Sequence, residues 1–217
     1  FVVLIGVVAV LVIFRGAYEQ IVNTIALWAD SSVDRSLGGS WTIPSTWFQA
    51  LNPLLVFTLT PILLVVWNRR ARAGRPFAPL RKMALGAFIV AAAFLLLAFA
   101  AHHAVATGGK SHWLWLVAFL VVYTTGELYI LPTGLALFGR LAPGALAATM
   151  MAMWFSASFA GNLLAGAVGT LWSRLAQPDF FMVVAAIAAT AAVLLLVMHR
   201  TAHHVLSDDP HALETTG

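Results

Sequence analysis

Thr124-Thr125-Gly126-Glu127-Leu128-Tyr129-Ile130-Leu131-Pro132-Thr133-Gly134 lies inside an apolar run that extends from about Trp113 to about Phe138, and it sets one carboxylate near the middle of that run. At about 1.5 Å of rise per residue, Glu127 sits roughly 21 Å from Trp113 and roughly 20 Å from Arg140, close to the centre of a hydrocarbon layer about 30 Å thick. A charge at that depth is costly. Intramembrane acids therefore face a bundle interior or a wet cavity, where they mark proton or substrate pathways. A plain interhelical hydrogen bond is the structural alternative for Glu127.

The composition agrees with a bilayer setting. Of 217 residues, 61% are hydrophobic and 9% charged, against the roughly one half and one quarter of a soluble domain. The chain is an all-α integral membrane protein with six apolar runs, at about 1–29, 44–67, 83–104, 113–138, 145–171 and 180–198, each long enough to span as a helix. It begins with Phe inside an apolar run, so it is expected to be a piece of a longer chain. Residues 1–200 form the expected bundle, and 201–217 a polar cytoplasmic tail. Cysteine is absent, which excludes disulfides and thiolate chemistry. The net charge of +4 signals no nucleic-acid partner, because the basic residues cluster beside spans.

Those basic residues orient the bundle. Arg69, Arg70, Arg72, Arg75, Arg81, Lys82, Arg140 and Arg200 fall on one side by alternation, and Arg35, Lys110 and Arg174 on the other. The positive-inside rule then puts the basic connection and both ends in the cytoplasm, in a multi-pass protein of the cell (inner) membrane.

Polar residues within spans are the candidate site. In the first span Arg15, Glu19 and Asn23 recur every four residues and share a face; Arg15 and Glu19 can form an ion pair, whether as a structural pair or as part of a cavity wall. The second span carries Gln49, Asn52, Pro53 and Pro61, whose prolines free carbonyls and loosen the helix. Asn52 fits a substrate contact or interhelical glue equally. In the fifth, Ala157, Gly161, Ala165 and Gly169 make a small-residue packing ridge, while Met151, Trp154, Ser158 and Asn162 form a second row read as lining a cavity. The third and sixth spans are nearly pure Ala, Val, Leu, Ile and Phe, as expected of helices facing lipid on most sides. The spans thus form two triples, each with two polar-faced helices followed by a plain one, which is the pattern of a three-plus-three inverted repeat, half of a major-facilitator fold.

Histidines offer a rival, since His102, His103, His199, His203 and His204 resemble a membrane di-iron set. The two groups fall at opposite membrane faces and cannot converge on one metal, so no metal, cofactor or catalytic residue is expected. A Walker loop is also missing from this sequence, which favours an ion gradient over ATP as the driving force.

Several short motifs carry a resemblance: Phe14 to Gln20 with Asn23; Phe48-Gln49-Ala50-Leu51-Asn52-Pro53; Gly126-Glu127-Leu128 with Pro132, Gly134 and Leu135; Leu141-Ala142-Pro143; Met150-Met151-Ala152-Met153-Trp154-Phe155; and Gly161-Asn162 with Ala165-Gly166. In this order and spacing they resemble the carboxy-terminal half, helices seven to twelve, of the proton-dependent oligopeptide transporters. Leu131 departs from a common Ser, and Arg15 from a usual aromatic. The resemblance implies symport of di- and tripeptides with protons, with Glu127 and Glu19 as coupling acids. Asn52, Glu127, Trp154, Ser158, Asn23 and Tyr123 would line the peptide cavity, and a missing amino-terminal six-helix half would be the partner. The other classes are a stand-alone six-helix membrane enzyme and a structural membrane subunit.

Overall fold

The computed structural model describes residues 2–37, 41–75, 77–141 and 147–207. The helices are α1 (Val2–Tyr18), α2 (Gln20–Ser31), α3 (Ser45–Arg72), α4 (Pro79–Thr107), α5 (Trp113–Leu141), α6 (Ala147–Gly169) and α7 (Gln177–Ser207). Two-residue strands, β1 (Val33–Asp34) and β2 (Ser111–His112), follow α2 and precede α5, and a short 3-10 turn, Thr170–Ser173, closes α6. Six segments are long and apolar enough to cross a membrane, the first running through α1 and α2. The break between those two helices falls at Glu19. The Gly38-Gly39 turn, the Ala142-Pro143 pair and residues 208–217 of the expected tail lie outside the described residues, and α7 itself continues past 200 to Ser207.

The packing pattern repeats. Spans one to three are α1/α2, α3 and α4; spans four to six are α5, α6 and α7. The third span packs on the fourth (α4 on α5) as the sixth packs on the first (α7 on α1), the first packs on the fifth (α1 on α6) as the fourth packs on the second (α5 on α3), and the third and sixth pack on each other. Exchanging the triples maps this contact set onto itself. Three is odd, so the second triple starts on the opposite face of the membrane, which makes the repeat inverted.

One expectation about exposure is overturned. The plain third span is not a mostly lipid-facing helix within this chain: 61% of its apolar window is buried, the largest share of the six, whereas the polar-faced α3 has 0% buried. Small side chains explain the difference. Buried Ala84, Ala87, Ala91, Ala98 and Ala101 on α4, and Ala185, Ala188 and Ala192 on α7, let two helices approach closely, and such packing holds helices together where lipid is as apolar as the core. The approach of α4 to α5 is closer still at Gly86 and Gly126. A Cβ on Gly126 would stand 2.7 Å from the Gly86 carbonyl oxygen and 2.7 Å from Val90 Cγ2, so neither helix tolerates a larger residue there.

The small-residue ridge of the fifth span does pack, against the first. Ala157 and Ala165 are buried, a Cβ on Gly161 would collide with the Arg15 side chain, and the buried Gln20 amide donates to the Ala165 and Gly16 carbonyls, 3.0 Å each. Pro53 and Pro61 lie inside α3 without breaking it. Thr58 donates to the Leu54 carbonyl at 3.0 Å and Thr60 to that of Val56, so hydroxyls supplement the backbone ladder around the proline-weakened turns.

One face of the bundle gathers Arg35, Lys110 and Arg174. β1 pairs in parallel with β2, Val33 opposite Ser111 and Asp34 opposite His112. Gln177 donates to Ser32 Oγ at 2.7 Å and accepts from Trp28 Nε1 at 3.1 Å, tying in the start of α7. Ser36 donates its N–H and hydroxyl to Asp34, holding that carboxyl below its usual range. The basic connection after α3 is at the other end.

Two measurements check this architecture. Gly126→Ala should lower the thermal midpoint of the purified protein in mild detergent, at a cost on the order of 1–3 kcal/mol for overpacking, whereas Gly139→Ala, where an added methyl meets nothing within 4 Å, should leave it unchanged. For sidedness, Gly109→Cys should react with an impermeant maleimide on intact cells and Ala73→Cys only after permeabilisation. Both positions are exposed and avoid the positive φ of Gly74 and Gly108.

Candidate functional site

A polar belt crosses the bundle at the depth of Glu127. It begins on α6, where Asn162, with its amide oriented to donate, stands 3.2 Å from Glu19 Oε1 and 3.2 Å from the Ser158 carbonyl. Glu19 also accepts from Arg15 Nη1, as the four-residue spacing on α1 dictates. The Arg15 guanidinium lies 5.7 Å from the centre of the Tyr18 ring, and the Tyr18 hydroxyl donates to Glu127 Oε1 at 2.6 Å. Asn52 of α3 stands beside that carboxyl and accepts from Thr124 Oγ1 at 2.6 Å. Four helices thereby contribute to one chain of polar contacts.

The two acids have different surroundings. Glu19 has a full positive charge and an amide against it, with 19% of its side chain exposed. Glu127 has only neutral groups next to its carboxyl, and its second oxygen, Oε2, is buried with no donor among the described residues. An unmatched buried carboxylate oxygen is costly; a proton on it, or an ammonium donor against it, removes the cost. Glu127 is therefore the acid of the belt whose second oxygen is left unmatched by the described residues.

The expected site residues divide. Glu127, Glu19, Asn52 and Ser158 come together in the belt or beside it, although Ser158 spends its hydroxyl on the Trp154 carbonyl at 3.0 Å. Asn23, one turn beyond Glu19, is exposed. Tyr123 and Trp154 lie deeper in the packing. Tyr123 is fully buried, stacked on Tyr18 at 5.6 Å and edged by Phe94 and Phe119, and its hydroxyl donates to the Tyr18 carbonyl at 2.7 Å. It positions Tyr18 and offers no open wall. Trp154, 5% exposed, fills the crevice between α5 and α6 against Phe138, ring centres 5.4 Å apart, in the space left by Gly134. The glycine motif on α5 is thus a socket for the indole.

Tyr18, Gln20 and Thr124 were not among the expected residues. Tyr18 follows Arg15 by three and precedes Glu19, so helical geometry alone could have placed it on the adjoining flank; its reach to Glu127 across 109 positions of sequence had no local sign. Beside Asn52, a crevice of about 140 Å³ opens between α2, α3 and α5, lined by Ile21, Ile25, Phe48, Gln49, Asn52 and Leu120 among others. It is apolar apart from the two amides and Ser45.

Residues 1–183 match the model of the POT family. The chain belongs to the POT family. The peptide transporter YePEPT of Yersinia enterocolitica is 36% identical over 157 residues, covering 72% of this chain and 30% of that protein. A di-/tripeptide transporter of Lactococcus lactis is 30% identical over 175 residues, covering 79% and 35%. The crystal structure of a peptide transporter POT superposes with TM-score 0.82 at 25% identity over 92% of this chain and 40% of that one. The chain thus spans about a third of the length of these curated relatives, and its fold is the six-helix half of a major-facilitator transporter.

Trp154→Ala should cost about 3 kcal/mol of stability, the lower part of the range for emptying an aromatic-sized volume, read as a drop in thermal midpoint. Trp154→Phe should recover most of it.

Proposed function

We propose that this chain is the carboxy-terminal half of a proton-coupled symporter of di- and tripeptides, working with an amino-terminal six-helix half in the cell inner membrane, and that both ends of the segment are cytoplasmic. The single observation that carries the reading is the Glu127 carboxyl, held at mid-membrane by Tyr18 with its other oxygen buried and without a donor. Membership of the POT family and the printed names of its peptide-transporting relatives support the choice of cargo.

The residues take distinct parts. Tyr18 donates to Oε1, so it matches the ionised form of Glu127, and a proton on Oε2 gives the neutral form a donor of its own. The ammonium end of a peptide is the alternative partner for Oε2. A proton therefore matches the acid when the cavity is closed and empty, and cargo or water matches it when the cavity is open; alternate exposure links the two. Glu19 serves as the second coupling acid, tempered by Arg15. Asn52 supplies an amide to the peptide backbone from the crevice, with Ser158 and Asn23 at its margins, while Tyr123 and Trp154 act behind the surface by fixing Tyr18 and the α5–α6 contact. The peptide carboxylate is left to basic groups of the other half.

Reconstitution of the full-length protein tests this. Glu127→Gln keeps shape and removes titration, so uptake of labelled dialanine driven by an inward proton gradient should fall to the level of protein-free vesicles. Exchange of labelled for unlabelled dipeptide needs no net proton movement and should persist. Wild-type uptake by the Gln variant would make Glu127 a structural group; absence of dipeptide transport by the wild type would favour the stand-alone enzyme or structural-subunit readings.

A further inference from the structure

The largest concentration of charge plays no part in the belt. Arg69, Arg70 and Arg72 in the last turn of α3, Arg75 after it, and Arg81 and Lys82 in the first turn of α4 form this cluster, and none has a carboxylate partner among the described residues. Two of them are instead laid on aromatic rings. Lys82 Nζ stands 3.0 Å from the centre of the Trp67 ring, and the Arg70 guanidinium 4.2 Å from that of Phe77. Trp67 is in turn edge-on to Tyr129 of α5, ring centres 5.1 Å apart. Between α3 and α4 this leaves a cavity of about 290 Å³ lined by Leu64, Trp67, Asn68, Ala71, Phe77 and Lys82. The indole N–H of Trp67 is buried and has no acceptor among the described residues.

We infer that the α3–α4 cradle binds the phosphate headgroup of an anionic lipid in the adjoining leaflet. An ammonium, an indole N–H and the Asn68 amide around one cavity are donors in search of an acceptor, and cation–π contact fixes the cations without neutralising them. A phosphodiester supplies several acceptor oxygens and a negative charge. Position decides for a lipid. The cradle begins where the apolar run Leu64, Val65 and Val66, exposed within this chain, ends, so an acyl chain along that run puts its headgroup beside Lys82. Basic pockets between spans, at the face with the positive excess, bind anionic headgroups by this combination of charge and depth. The inference stands on the cradle alone and does not depend on the transport reading.

The test uses the full-length protein in neutral detergent, with thermal midpoint and native mass spectrometry as readouts. Dioleoylphosphatidylglycerol should raise the midpoint and remain bound through the mass measurement, whereas dioleoylphosphatidylcholine should do neither. The double variant Arg70→Gln/Lys82→Gln should weaken the apparent affinity for phosphatidylglycerol at least fivefold, and the double variant Lys110→Gln/Arg174→Gln, which removes equal charge from the opposite face, should leave it unchanged. Trp67→Phe keeps the ring and deletes the N–H; it should weaken binding about two- to threefold and serves if the charge variant does not fold. Equal weakening by both charge variants would reduce the effect to bulk charge and overturn the site. Stabilisation by inorganic phosphate at the same concentration would assign the cradle to soluble phosphate, and no phosphatidylglycerol effect on the wild type would leave it to a protein partner; either result overturns the lipid.

Discussion

The Tyr18 hydroxyl, 2.6 Å from Glu127 Oε1, joins the leading helix of one triple to the leading helix of the other, at the place where the inverted repeat brings its two first members together. The rest of the bundle keeps that contact. α4 and α7 close the back through alanine faces, α4 grips α5 at Gly86 and Gly126, and α6 grips α1 along its small-residue ridge. Each grip fixes a leading helix from outside, and the two triples meet between them through polar groups, Tyr18 with Glu127 and Glu19 with Asn162. Hydrocarbon offers no alternative hydrogen-bond partners, and for that reason the geometry of one tyrosine and one carboxyl carries weight that it would not have in water.

The two acids divide the work by their neighbours. Arg15 and Asn162 surround Glu19, a compensated arrangement that keeps charge at mid-depth tolerable. Glu127 is flanked by Tyr18, Asn52 and Thr124, which are neutral. The unmatched oxygen among the described residues of the belt is therefore on Glu127 and not on Glu19. Tyr123 and Trp154 matter to the same end from within the packing, one by holding the backbone of Tyr18, the other by seating α6 on α5.

Much of this was legible in the sequence because lipid imposes simple rules. Six spans, the triple pattern, the Arg15–Glu19 pairing and the packing ridge of Ala157, Gly161, Ala165 and Gly169 all follow from helical spacing and the cost of polar groups. Depth on a helix, however, does not reveal which face is covered. Trp154 and Tyr123 have the amphipathic character of cavity walls, and only the socket at Gly134 and the stack on Tyr18 show that they are enclosed. The alanines of α4 misled in the opposite sense: an apolar helix without polar groups suits lipid and close helix packing equally, and the choice lies in long-range contacts that local pattern does not contain. Tyr18 was missed for the same reason.

If Glu127 exchanges its proton in step with cargo, dipeptide binding is linked to proton uptake or release. Isothermal titration of dialanine into the full-length protein, in buffers of differing ionisation enthalpy, measures the protons taken up or released on binding. The wild type should show a net proton exchange that disappears in Glu127→Gln while dipeptide binding persists, and Tyr18→Phe should show a reduced exchange. The same proton exchange in the wild type and Glu127→Gln would contradict this role of Glu127, because the titrating group would then lie elsewhere.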